Sequence, residues 1–129
     1  RGIIMHMSNY LEDGLLNHLL SNIPLEFTIP YLALYTSDPT DAEIGIECSD
    51  VNYSRQSITF DTSLNGETSN TDYITFLPFT GDVTITHIGI MNAPIGGNLM
   101  FHVDLSTSKI MHDTDELRFH PGSLTIRLS

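Results

Sequence analysis

A single segment of the chain carries a helical hydrophobic period, and the period changes once it has passed. Leu11, Leu15, Leu16, Leu19 and Leu20 share one face of a 3.6-residue helix. Asn9 is positioned as its N-cap, with Glu12 as a capping-box partner, and both Glu12 and Asp13 sit well by the positive end of the dipole. Pro24 cannot continue the helix and biases Ile23 towards an extended conformation, so the spacing predicts a helix over residues 9–21. Gly14 weakens it, by about 1 kcal/mol relative to alanine, which leaves it dependent on packing.

After Pro30 the period is two. Leu99, Phe101, Val103 and Leu105 alternate with Met100, His102 and Asp104. Leu117 and Phe119 form a short alternating run, and Leu124, Ile126 and Leu128 form another across the Pro121-Gly122 turn, which predicts a hairpin. Tyr31 to Tyr35 is apolar in both phases, as in a strand covered on both faces. Val83 to Met91 changes phase near Gly89, suggesting a bulge or a bend between sheets. Turn signals at Ser37-Asp38-Pro39, Asn65-Gly66, Gly81-Asp82 and Asn92 to Asn98 separate these runs. The fold class expected is mainly β, an antiparallel, jelly-roll-like β-sandwich with one N-terminal helix. Residues 1–7 read as an N-terminal extension or processing remnant, and residues 8–129 as one domain.

Composition narrows the function. The 129 residues suit one core, and the net charge is -11, from 5 Lys+Arg against 16 Asp+Glu. Five scattered cations cannot neutralise a run of phosphates or form a polybasic face, so neither nucleic acid nor an anionic membrane is an expected partner. No stretch nears the roughly 20 apolar residues of a membrane span, and no secretory signal is visible. A single cysteine, Cys48, excludes an internal disulfide and a thiolate-only zinc cluster, and reads as a half-buried or exposed, inert thiol. Ser and Thr number 26 and Asn 8, so neutral groups do much of the solvating.

Candidate chemistry is sparse. His87, His102, His112 and His120 fall in the second half, and His102 with Asp104 could present two ligands to one ion, but spacing fixes no third. Strand histidines bonded to a neighbour explain them as well. The loop from Asp38 to Asp50 holds Asp38, Asp41, Glu43, Glu47 and Asp50, either a solvated loop or a calcium site without EF-hand spacing. No carboxylate pair is singled out for glycoside hydrolysis, and no Gly-x-Ser-x-Gly elbow is present. The Gly96-Gly97 turn lacks the following helix and Lys of a phosphate cradle. Nothing here compels an enzyme, a cofactor or a metal. Arg55, alone in an acidic chain, needs a partner: a carboxylate of its own chain, or an intersubunit contact.

The order of motifs adds a resemblance. Ser8-Asn9-Tyr10-Leu11-Glu12-Asp13, Tyr31-Leu32-Ala33-Leu34-Tyr35-Thr36-Ser37-Asp38-Pro39 and Tyr53-Ser54-Arg55-Gln56-Ser57-Ile58-Thr59-Phe60 run in this order. They are followed by Thr86-His87-Ile88-Gly89-Ile90-Met91-Asn92 and Gly96-Gly97-Asn98-Leu99-Met100-Phe101-His102. Together they resemble a family of small tailed-bacteriophage virion proteins, commonly labelled tail fibre proteins and similar to proteins that decorate or cement capsids. The chain departs from that pattern in its opening residues and in Cys48. The resemblance implies a non-enzymatic component on the exterior of the virion, either a capsid-decoration (cement) protein or a tail-fibre-associated one. A receptor- or glycan-binding module of the tail is the alternative. The implied partners are major capsid or tail proteins and further copies of the chain. At this net charge identical subunits repel, so the expected docking surface is the apolar face of Leu11, Leu15, Leu16, Leu19 and Leu20, with Arg55 as a possible anchor.

Overall fold

The computed structural model describes residues 3–26 and 28–128; Arg1 and Gly2 of the opening segment, Phe27, and Ser129 at the end of the expected domain lie outside them. In chain order the elements are β1 (Ile3–Ile4), β2 (His6–Met7), α1 (Asn9–Leu20), β3 (Tyr31–Tyr35), β4 (Gln56–Ser57) and β5 (Glu67–Ser69). They continue with β6 (Ile74–Thr75), β7 (Val83–Met91), β8 (Leu99–Met111), β9 (Arg118–Phe119) and β10 (Leu124–Arg127). The class is mainly β with one N-terminal helix, as the periods predict. Hydrogen bonding divides the strands into three sheets: β2-β8-β7-β3-β4, β1-β10-β5 and β6-β9. All pairings are antiparallel except β1 with β10.

Register explains the core. Leu32 opposes Ile90 and Leu34 opposes Ile88, which opposes Val103 in turn, so these side chains line one face of the large sheet. They join Leu124 and Ile126 of β10, Ile74 of β6, Phe119 of β9, and Phe76 in one buried cluster. Burying each such side chain contributes about 1.5–3 kcal/mol. The opposite face carries a second, smaller cluster of Ala33, Tyr35, Met91 and Leu99. β3 is therefore apolar in both phases because both its faces are covered.

Several local expectations change. Residues 3–7 contribute two strands and place Met5, 4% exposed, in the main core. Ser8, not Asn9, caps the helix: its Oγ accepts from the Leu11 N–H at 3.2 Å and donates to the Leu99 carbonyl at 2.5 Å. With the cap one residue earlier, Leu11 occupies the position where a capping box needs Glu or Gln. The helix ends at Leu20, and Asn22 turns into the left-handed region at φ 56°. Gly14 leaves space for Leu25, whose Cδ1 lies 2.9 Å from where a Cβ would stand.

The Pro121-Gly122 turn does not make a hairpin. β9 pairs with β6, whereas β10 pairs with β1 and β5. The divergence is held by Asn70, 3% exposed, whose amide donates to the carbonyls of Asp72 and His120 and accepts from the Leu124 N–H, at 3.0, 3.0 and 2.9 Å. By contrast Asn65-Gly66, with φ values of 54° and 74°, makes the two-residue turn its sequence predicts, closed by reciprocal bonds between Leu64 and Glu67.

The irregularities of β7 and β8 flank Gly89 rather than fall on it. The two steps from Ile85 to His87 are matched by five from Asp104 to Lys109, so Leu105 to Ser108 bulge opposite Thr86. One further residue, Met100, is inserted where Ile90 opposes Phe101 and Met91 opposes Leu99. The Met100 carbonyl accepts the Ser8 N–H at 2.8 Å, so this second bulge is where the helix is moored.

Candidate functional site

The leucine stripe divides along its length. Leu11 is buried and Leu15 half-buried against the body of the domain. Leu16, Leu19 and Leu20 are 56%, 72% and 78% exposed, and Ile23 just beyond is exposed as well. The first turn is moored by Ser8, while the last turn stands clear of the sheet. The surface left open is an apolar patch at the C-terminal end of α1.

The acidic loop is tied down at every carboxylate. Asp38 accepts from the Thr40 N–H at 2.9 Å and faces His87 at 3.7 Å. Asp41 meets His102 Nε2 at 2.6 Å. Glu43 accepts from the Leu99 N–H at 2.8 Å, and Asp50 accepts from the Thr80 N–H and hydroxyl at 2.9 and 2.8 Å. The loop thus folds over the sheet face that carries the smaller core cluster. The acids are solvated yet hydrogen-bonded, with Asp38 and Asp41 more than half exposed.

Glu47 has the richest set of partners. Its carboxylate is gripped by Arg55 in a fork, Nε to Oε2 and Nη2 to Oε1, both 2.9 Å. The Tyr53 hydroxyl donates to the same Oε2 and accepts from the Leu34 N–H at 3.1 Å. Arg55 Nη1 then donates to the carbonyls of Ala93 and Gly96 at 2.9 and 2.7 Å. One guanidinium, 9% exposed, ties the acidic loop to the Asn92–Asn98 turn. Burial by itself would raise the Glu47 pKa, but the hydrogen bonds from Arg55 and Tyr53 bring it below the ordinary carboxylate value. Burial, with help from the Glu47 charge, pushes Tyr35 up to about 12. Burial first, then the bond to Glu47, raises Tyr53 too.

The histidines are engaged one by one. His87 and His102 face Asp38 and Asp41, His112 meets Asp82 at 2.9 Å, and His120 packs edge-on to Tyr73. Among the described residues no group of three or more His, Cys, Asp or Glu is placed to hold a metal ion. Cys48 lies deeper than expected, 5% exposed within the main core, where burial raises its thiol pKa and leaves it a poor nucleophile. Several of these pairings span long stretches of sequence: Asp41 and His102 are 61 positions apart, Thr80 and Asp50 are 30. Glu47, Tyr53 and Asn70 carry no signal of their role beyond the isolation of Arg55, which does call for a partner.

Residues 6–127 match the family model described as Podophage GP4 fiber I protein gp80. The chain belongs to this fibre-protein family. Its match spans β2 to β10, so it takes in the helix, the acidic loop and all of the large sheet. No curated protein matches the chain. The gp80 family is one of phage structural proteins, components of the exterior of the virion, which implies association with other virion components. Among the described residues no helix is long and apolar enough to cross a membrane.

Proposed function

We propose that the chain is a non-enzymatic, fibre-associated module of a tailed-phage particle that assembles through the open end of its helix. The observation that carries this is the exposure of Leu16, Leu19 and Leu20 on a helix whose first turn is fixed to the domain. Leu11 and Leu15 support that face from beneath, and Arg55 contributes by holding the loops rather than by reaching a partner. The occupant is a second copy of the chain. With a net charge of -11, like copies associate only through surface that carries little charge, and this patch supplies it. The family match favours a fibre over a capsid cement.

Light scattering after size exclusion tests the reading. The wild-type chain is expected to be oligomeric, and Leu19→Glu/Leu20→Glu is expected to be monomeric with an unchanged circular-dichroism spectrum. A wild-type monomer at working concentrations, or an oligomer indifferent to the double substitution, overturns it.

A second reading, receptor binding, is favoured by one feature away from the acidic loop: a groove beside β8 and β9 whose two cations form no ion pair with a described residue.

A further inference from the structure

Cations are scarce in this chain, and two of the four in the described residues are spent internally, Arg55 on Glu47 and Arg127 on Glu67. The other two, Lys109 and Arg118, form no ion pair with a described residue. They line one open groove of about 620 Å3 between the bulged part of β8 and the strand β9. In an acidic protein, two cations without ion-pair partners against one carboxylate, Glu116, in a single concavity offset the charge of the whole molecule locally.

The surroundings are built rather than incidental. The Leu105–Ser108 bulge turns Ser106 and Thr107 into the groove ahead of Lys109, and Ser123 adds a third hydroxyl. Arg118 stacks its guanidinium 4.9 Å from the centre of the Tyr73 ring, against which His120 also packs at 5.2 Å. That stacking limits the freedom of the arginine before any ligand arrives. Glu116 lines the same groove as a carboxylate acceptor. Hydroxyls, one acceptor and two cations over an apolar floor make a mixed set: the cations suit a carboxylate, and the rest suits neutral hydroxyl groups. An acidic peptide would satisfy the cations but meet Glu116 as a like charge, whereas a sugar can offer it a hydroxyl.

We infer that the groove between β8 and β9 binds an oligosaccharide carrying carboxylates, with Lys109 and Arg118 on the acid groups and Ser106, Thr107, Ser123 and Glu116 on the hydroxyls. The inference rests on the receptor-binding reading and names its ligand class; it does not depend on how copies assemble.

Titration of the full chain by calorimetry at low ionic strength tests it, with trigalacturonate, its fully methyl-esterified form and hexaglutamate as probes. Trigalacturonate is expected to bind, to weaken with added salt, and to weaken by about tenfold or more in Lys109→Ala/Arg118→Ala. Both side chains are exposed, so the variant should keep its spectrum and melting temperature; Lys109→Gln alone, expected to weaken binding in the same direction, serves if it does not. Binding of the ester as tight as that of the acid overturns the inference while leaving receptor binding standing. Tighter binding of hexaglutamate makes the groove a protein contact and overturns it too. No binding of any probe removes both.

Discussion

The Arg55 guanidinium meets the Glu47 carboxylate through two parallel hydrogen bonds of 2.9 Å, and its remaining nitrogen closes onto the carbonyls of Ala93 and Gly96. Three groups from two other stretches of chain, one carboxylate and two carbonyls, depend on one side chain. Arg55→Ala leaves the Glu47 carboxylate half-buried without its cation and strands two carbonyls. The expected loss is about 2–4 kcal/mol, read as a lower urea midpoint with an unchanged slope. Arg55→Lys keeps the charge but cannot reproduce the fork, and should fall between wild type and alanine.

The same cluster sets an acid limit on stability. Glu47 titrates in the folded chain below its ordinary value of 4.5, because the bonds from Arg55 and Tyr53 outweigh the effect of burial. A group with a depressed folded pKa contributes stability that is complete above the unfolded value and lost as pH falls through the folded one. Asp50, lowered by the N–H groups of Thr80 and Asn52, acts in the same direction. Urea midpoints measured from pH 7 down to about pH 3 should therefore fall below pH 4.5, and Glu47→Gln should flatten that fall while lowering the neutral plateau. An acid limb as steep in the variant as in wild type would contradict this assignment.

Ser8 is fully buried and serves two elements at once, the first turn of α1 and the bulged start of β8. Ser8→Ala removes the cap from the Leu11 N–H and the donor to the Leu99 carbonyl. It should cost about 1–2 kcal/mol in melting experiments, and Ser8→Thr should recover part of it. Asn9→Ala, at the cap expected from sequence, should cost less.

What the sequence discloses and what it hides divides along contact distance. The helix and the alternation of β8 and β10 are legible because a period is a local property of the chain. The Asn65-Gly66 turn is legible for the same reason, its two positive φ values being written in two adjacent residues. The divergence of β9 from β10 is not, because the residue that enforces it, Asn70, lies 50 positions from His120 and 54 from Leu124. Most pairings of the Asp38–Asp50 acids are hidden for the same reason, since their partners His87, His102, Leu99 and Thr80 are distant in the chain. Arg55 is the exception: scarcity of its own charge type makes a single cation informative before any contact is known.

Gly89 is required by close approach rather than by backbone conformation. A Cβ there would stand 2.6 Å from Leu99 Cδ1, 3.1 Å from Tyr35 Cε1 and 3.4 Å from the Phe101 carbonyl oxygen. Leu99 and Tyr35 are both buried in the smaller cluster, so neither has room to retreat. Gly89→Ala should cost about 1–3 kcal/mol through overpacking, seen as a lower melting temperature. Gly81→Ala, where a Cβ meets nothing within 4 Å, is the control expected to leave stability unchanged.

Asn70 offers the sharpest test of the corner between the two small sheets. Its amide nitrogen donates to the Asp72 and His120 carbonyls while its oxygen accepts from the Leu124 N–H, so both ends of the group are in use. Asn70→Asp is nearly isosteric, but it replaces two donors with an acceptor facing two carbonyl oxygens, in a site only 3% exposed. Asn70→Ala instead removes all three bonds and leaves the space empty. Both should destabilise, by about 2–4 kcal/mol, and only the aspartate variant should regain stability on acidification, since protonation relieves the repulsion and restores one donor. The proton-linked recovery is the outcome that separates a hydrogen-bonding corner from simple packing, and a pH-independent deficit in Asn70→Asp would count against it.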